Sequence, residues 1–123
     1  MINVKVEFPK ELPIKQLAQY CDDVVFNVAR ITLDYTNTKS HFPYLTGELN
    51  RAAMAEGVKT LGGMAYGLGA EGVNYAPAVW KYPQDTNWTN PNTYAQWYYK
   101  EYQSDKDLIM SQAINYAKKG IRK

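Results

Sequence analysis

Hydrophobic residues near the start of the chain follow the period of a long amphipathic helix. Their spacing alternates between three and four residues and covers Ile14, Leu17, Cys21, Val24, Val28, Ile31 and Tyr35. This spacing places the side chains on one face of a helix of about 23 residues, roughly 34 Å long. Pro13 suits the first turn, because the amide hydrogen that proline lacks would have no partner there. Further apolar residues widen the face and predict a second contact, within the domain or with another subunit: Val25, Phe26, Ala29 and Leu33.

A turn follows the long helix and leads to a shorter one. The polar residues 36–40 are expected to fray the helix end before the turn. Pro43 cannot continue a helix, and Gly47 permits backbone angles that other residues resist. Thr46 is the predicted N-cap of a short helix that contains Leu49, with good helix formers at residues 48–56 and Gly57 as its end.

Strand patterns occur on both sides of these helices. Val4, Val6 and Phe8 alternate with polar residues, which is the two-residue period of a half-buried strand. Residues 58–75 carry several glycines among short apolar pieces and predict two or three strands joined by tight turns. The glycine spacing lacks the features of a Walker loop or a dinucleotide fingerprint, so it predicts turns and bulges rather than a phosphate site.

A third helix is predicted near the end of the chain. Ser104 is its expected N-cap, followed by Asp105 and Asp107 at the positive end of the helix dipole, and Gly120 closes it. The basic residues after it are interpreted as solvated charge that complements the dipole, with a phosphate contact as the alternative: Lys118, Lys119, Arg122 and Lys123. Residues 1–123 thus predict one α+β domain. Its long N-terminal helix packs on a small antiparallel sheet, with a C-terminal helix and an extended aromatic-rich loop.

Aromatic content is the unusual feature of the composition. Aromatic residues make up 14% of the 123 residues, including 11 tyrosines and 3 tryptophans. They concentrate after residue 74, and such side chains favour a protein–protein interface. The alternative is a binding surface for carbohydrate or single-stranded nucleic acid, although Lys81 and Lys100 are the only basic residues nearby. The predicted interface residues are Trp80, Tyr82, Trp88, Tyr94, Trp97, Tyr98 and Tyr99.

The chemistry-bearing residue types do not form a recognisable catalytic set. Cys21 and His41 are the only cysteine and histidine, which excludes an internal disulfide and a Cys/His metal site. His41 is interpreted as a solvated or capping side chain. A polysaccharide-cleaving enzyme would need two carboxylates, for which Asp85 and Asp105 are the candidates. We expect no enzyme activity and no cofactor. We also expect no leader and no membrane partner, since no apolar run approaches the ~20 residues of a membrane span.

Three short motifs, in their order along the chain, carry a resemblance to a known group of proteins. They are the turn Pro43-x-x-Thr46-Gly47-x-Leu49, the pair Tyr75-Ala76 at the end of a predicted strand, and Trp97 before a helix with an acidic first turn. Over residues 12–119 the chain resembles the minor capsid or neck proteins of long-tailed bacteriophages, a group related to head–tail connector and tail-completion proteins.

The resemblance implies a structural protein of the virion, assembled in the cytoplasm of the host bacterium. It implies a homo-oligomeric ring in the head–tail connector, where the partners are further copies of the chain, neighbouring connector proteins, portal-side proteins and tail proteins. DNA would pass close by in the central channel. Whether the ring is a stopper, a neck ring or a tail terminator is left open.

Overall fold

A computed structural model of the protein describes residues 14–42, 47–70, 73, 76–81 and 95–123. Within these ranges the chain forms helices and a hairpin, in the order α1 (Ile14–Thr38), α2 (Glu48–Glu56), β1 (Val58–Gly62), β2 (Ala65–Leu68), α3 (Ala76–Trp80) and α4 (Trp97–Lys118). The predicted α+β class, with its long first helix, antiparallel sheet and C-terminal helix, is confirmed. The strand predicted at residues 3–8 lies outside the described residues, as do Pro43 and Thr46.

The α1 and α4 helices pack along each other and form much of the core. Ile31 of α1 meets Ile109 and Ala113 of α4, and all three side chains are fully buried. A second cluster on the same pair of helices contains Tyr20, Val24, Ile114 and Ala117. The apolar spacing that predicts α1 from the sequence therefore marks the stripe that covers α4.

The end of α1 is more regular than its polar sequence suggests. The fraying predicted at residues 36–40 is wrong for residues 36–38, because α1 continues to Thr38 and Thr36 is fully buried. The Thr36 hydroxyl donates to the Thr32 carbonyl at 2.7 Å. This bond to the preceding turn satisfies a polar side chain within the helix, so a threonine can be buried there.

The start of α4 also differs from the prediction. The helix begins at Trp97 rather than Ser104, and Ser104 is an exposed residue inside it. Trp97 and Glu101 lie four residues apart on one face and are both buried, which anchors an additional helical segment. Next to the predicted boundary the helix is kinked, because Asp105 has non-helical backbone angles of φ −121° and ψ 20°. Gly120 follows the helix at φ 71°, the conformation expected of a closing glycine.

Glycines mark the ends of the short α2 helix and the turn of the hairpin. Gly57 ends α2 as predicted, whereas the N-cap position is taken by Gly47 rather than Thr46. β1 and β2 pair antiparallel, and a register shift between Thr60 and Gly62 marks a bulge. Gly62 has φ 105°, which side chains rarely tolerate, so glycine is required at this turn. Of the predicted two or three strands, two lie within the described residues.

A third hydrophobic cluster lies where α1 ends and α4 begins. Leu33 from the widened face of α1 is fully buried there, which locates the predicted second contact within the domain. Leu49 of α2, a residue of the turn motif, is equally buried. The cluster is completed by Phe42, Ala53, Val73 and Trp97.

The C-terminal residues fold back onto α1, and two of the four exposed residues of the predicted basic tail form ion pairs there. Arg122 forms ion pairs with Asp22 and Asp23, and its guanidinium lies 5.1 Å from the centre of the Phe26 ring. Lys123 Nζ lies 3.2 Å from a carboxylate oxygen of Asp34. Opposite charges on α1 therefore hold Arg122 and Lys123, and all four basic residues are exposed as predicted.

Within the described part of the chain, none of the helices is both long enough and apolar enough to cross a bilayer.

Candidate functional site

A wide, largely apolar cavity of about 720 Å³ opens between the hairpin, α3 and the start of α4. We call it the apolar groove and define it by Leu61, Leu68, Pro77, Trp80, Trp97 and Tyr98. Glu56 and Lys59 also line it, and they are paired with each other at 2.7 Å. The groove therefore offers a large hydrophobic area with a neutralised pair of charges.

Aromatic packing builds one wall of the groove. The Trp80 and Trp97 rings meet edge to face, with centroids 4.7 Å apart and an interplanar angle of 84°. Tyr98 packs edge to face on Phe42 at 5.6 Å. The backbone N–H of Gln96 donates to the Trp80 carbonyl at 3.2 Å, which joins the end of α3 to the residue before α4. These contacts bring together aromatic residues that are distant in the sequence.

The predicted interface residues do not share one environment. Trp80, Trp97 and Tyr98 come together at the groove, but Trp97 is only 3% exposed and belongs to the core. Tyr99 points away from the core and is 53% exposed. The other three, Tyr82, Trp88 and Tyr94, lie outside the described residues. For Trp97, the aromatic signal in the sequence marked a core side chain.

The groove remains uncharged along its aromatic wall. Burial raises the pKa of the Tyr98 hydroxyl well above its usual range, and the neighbouring Trp97 indole offsets part of that rise. Tyr98 is therefore neutral throughout the physiological pH range. A hydrophobic partner surface could cover this wall without meeting a charge.

The hairpin extends the hydrophobic surface beyond the groove. Leu61 sits at the bulge and is 67% exposed, and Met64 at the turn is 44% exposed. The Leu61 side chain lies over Gly67, where an added Cβ would come within 3.1 Å of its Cδ1. A bulge turns a side chain out of the regular alternation of a strand, and here it places a leucine at the mouth of the groove.

A second feature, which we call the charge cluster, joins the end of α1 to the kink of α4. It consists of Lys39, His41, Glu101 and Asp105. Glu101 is fully buried, and its Oε2 lies 3.0 Å from Nε2 of His41. The Lys39 ammonium contacts Asp105 directly and lies 3.6 Å from Oε1 of Glu101. Of the two interpretations of His41, solvated or capping, the solvated one is wrong, because the side chain is 12% exposed and faces a carboxylate.

The two carboxyl groups of the charge cluster have opposite pKa shifts. Burial, with a further contribution from Asp105, raises the pKa of Glu101 to about 7. Hydrogen bonds from Glu101 and Lys39 hold the pKa of Asp105 below its ordinary value. A proton shared between these carboxyls therefore resides on Glu101, and Asp105 carries the negative charge that pairs with Lys39.

Of the two carboxylates considered for a polysaccharide-cleaving site, Asp105 alone lies within the described residues. Asp105 is held in its ion pair with Lys39, and Asp85 lies outside the described ranges. A cavity of about 490 Å³ adjoins the charge cluster and is lined by Lys39, His41, Lys100, Gln103 and Ser104. Among the described residues, no three His, Cys, Asp or Glu side chains are grouped so that they could hold a metal ion.

Sequence reasoning did not identify Glu101 as a special residue. The only local signal is its position four residues after Trp97 and four before Asp105, which places all three near one helical face. Its partners Lys39 and His41 are about 60 residues away in the chain. Such a contact depends on how α1 and α4 pack and leaves no periodic pattern in the sequence.

Neither the family models, the curated proteins nor the solved structures with which the chain was compared gave a match.

Proposed function

We propose that the protein is a non-enzymatic structural component of the virion of a tailed bacteriophage. In this proposal it forms a homo-oligomeric ring in the head–tail connector and joins portal-side proteins to the tail. The resemblance of the sequence motifs gives the class of particle. The observation that supports an assembly role most strongly is the apolar groove with the exposed hydrophobic hairpin at its mouth.

The groove and hairpin have the character of a contact surface. Leu61 and Met64 are large hydrophobic side chains with more than two fifths of their surface exposed, and they adjoin a cavity with apolar walls. Contiguous hydrophobic surface on a small domain marks a site of protein interaction, because its exposure to water is unfavourable. Contact with another subunit would bury it.

A ring also needs a second, different surface on each subunit. In a head-to-tail contact, one surface of each copy meets another surface of the next copy, and rotation closes the ring. Exposed hydrophobic side chains occur on α4 as well as on the hairpin, at Tyr99 and Leu108, which are 53% and 50% exposed. Each of these two residues is a separate candidate for the opposing surface, because nine residues on a helix place them on different sides of it.

The aromatic geometry favours this role over binding of carbohydrate or single-stranded nucleic acid. Those ligands stack on open aromatic faces. In the groove, the edge-to-face contact of Trp80 with Trp97 and that of Tyr98 with Phe42 use ring surface for internal packing. The groove therefore presents a hydrophobic depression more than a stacking platform.

The proposal can be tested in the phage whose genome encodes this chain. Mass spectrometry of purified particles should detect the polypeptide, and Leu61→Asp should yield separate heads and tails in electron micrographs with a large loss of infectious titre. Thr60→Asp is the matched control, since Thr60 is an exposed neighbour in the same strand and pairs with Tyr66, whose ring packs against Phe26 of α1.

Circular dichroism of both purified variants checks that each is folded. Absence of the polypeptide from particles contradicts the virion assignment. Normal particles carrying Leu61→Asp contradict the role of the groove and hairpin.

A further inference from the structure

We infer that the charge cluster of Lys39, His41, Glu101 and Asp105 is a pH-dependent contact between the end of α1 and α4, which we call the joint. Its protonation state sets the position of the first segment of α4, and with it the position of the aromatic wall of the groove. The inference concerns the protein in solution and does not depend on the proposed role in a phage.

The joint lies at the point where α4 changes direction. Asp105 has the non-helical backbone angles of the kink, and Glu101 lies one turn before it in the first segment of the helix. Lys39, just after the end of α1, contacts both carboxyl groups. The angle between the two parts of α4 is therefore tied to α1 through charged side chains.

The same segment of α4 carries the wall of the groove. Trp97 lies four residues before Glu101, and both side chains are buried, at 3% and 0% exposure. Residues three or four apart occupy one side of a helix, and a short helical segment moves as a unit. A shift of Glu101 against the end of α1 would therefore displace Trp97 relative to Trp80.

Two protonation states of the cluster differ in the balance of buried charge. With a proton on Glu101, the Lys39 ammonium faces the single negative charge of Asp105. Loss of that proton leaves two carboxylates beside one lysine and the His41 imidazole, with one of the carboxylates fully buried. An additional buried charge is unfavourable unless it gains a partner or water, so the joint should rearrange when the proton leaves.

The surroundings of Glu101 allow such a change. The charged and titratable groups that face it are Lys39 and His41 from the end of α1 and Asp105 from its own helix. The adjoining cavity of about 490 Å³ is lined by two of these groups, Lys39 and His41. Burial raises the pKa of Glu101 to about 7, which sets the pH range in which the change should occur.

The test follows the tryptophans as pH changes. A Trp88→Phe background leaves Trp80 and Trp97 as reporters, and near-ultraviolet circular dichroism is recorded from pH 5.5 to 8.5. We expect one reversible transition centred near pH 7. Glu101→Gln, which imitates the protonated acid in shape and charge, should abolish the transition and keep the low-pH signal at every pH.

Two further variants identify the titrating group. Asp34→Asn, which alters a carboxylate of α1 paired with Arg30 and Lys123, should leave the transition unchanged. His41→Gln should retain a transition with a shifted midpoint. The inference is overturned by a flat signal in the Trp88→Phe protein. It is equally overturned by a transition that persists in Glu101→Gln and disappears in His41→Gln.

Discussion

Asn27 should be one of the residues on which the stability of the domain depends most. Its side chain is fully buried in α1 and makes three hydrogen bonds to the backbone of the C-terminal region. The amide donates to the carbonyl oxygens of Ala113 at 3.3 Å and Ile121 at 3.0 Å. Its oxygen accepts from the backbone N–H of Lys123 at 2.6 Å. Asn27 therefore attaches the end of the chain to α1.

The expected cost of Asn27→Ala follows from these bonds. A hydrogen bond within a protein contributes about 0.5–1.5 kcal/mol net, so the loss of three predicts a decrease of about 2–4 kcal/mol in the free energy of unfolding. Domains of this kind are stable by about 5–15 kcal/mol, which makes the decrease easy to measure. Urea unfolding followed by far-ultraviolet circular dichroism is a suitable assay.

A shortened chain separates the role of the tail from that of the core. A variant that ends at Gly120 lacks the partners at Ile121 and Lys123, so Asn27→Ala should cost about 1 kcal/mol or less in that background. Asn115→Ala, at an exposed position of α4, is the control and should change stability by no more than about 0.5 kcal/mol. An equal cost of Asn27→Ala in both backgrounds would refute the role of Asn27 in holding the tail.

Three further predictions concern the core, the tail and the charge cluster. Trp97→Ala should lower the free energy of unfolding in urea by about 3–5 kcal/mol because Trp97 is buried, whereas Tyr99→Ala should lower it by less than about 1 kcal/mol. Similar decreases for the two variants would contradict the burial of Trp97. Arg122→Ala should lower the free energy of unfolding by about 1 kcal/mol at low ionic strength and by less in 0.5 M NaCl, because Arg122 pairs with two aspartates at a partly exposed site. A decrease that does not depend on salt would contradict an electrostatic role. The raised pKa of Glu101 means that the folded state binds its proton more tightly than the unfolded chain does, so unfolding free energy should decrease between about pH 4.5 and pH 7, by up to about 3 kcal/mol. Glu101→Gln should remove that slope, and an unchanged slope would assign it to another group.

The elements that could be predicted from the sequence are those specified by local patterns. The three-and-four spacing of α1 and the glycines at residues 57 and 62 express constraints that act within a few residues. The boundary of α4 was wrong because Ser104 has the residue type of an N-cap, while burial of Trp97 and Glu101 extends the helix beyond it. Tertiary packing outweighed a local preference there.

The candidate site was predictable only in part. The concentration of aromatic residues indicated the region that contains Trp80 and Tyr98, although periodicity could not show that Trp97 is a core residue. The contact of His41 with Glu101 joins a residue just after α1 to one in α4, 60 positions later in the chain. Charged and polar residues of this kind look like surface positions in a sequence, and their burial depends on partners supplied by another helix.

The central claim, that this chain assembles through the groove and hairpin, is tested most directly by its mass in solution. Light scattering over a concentration series should give a closed oligomer of fixed mass for the natural sequence and for Thr60→Asp. Leu61→Asp should give the 14.1 kDa monomer. A natural chain that remains at the monomer mass at every concentration, or a Leu61→Asp variant that forms the same oligomer, would contradict the account.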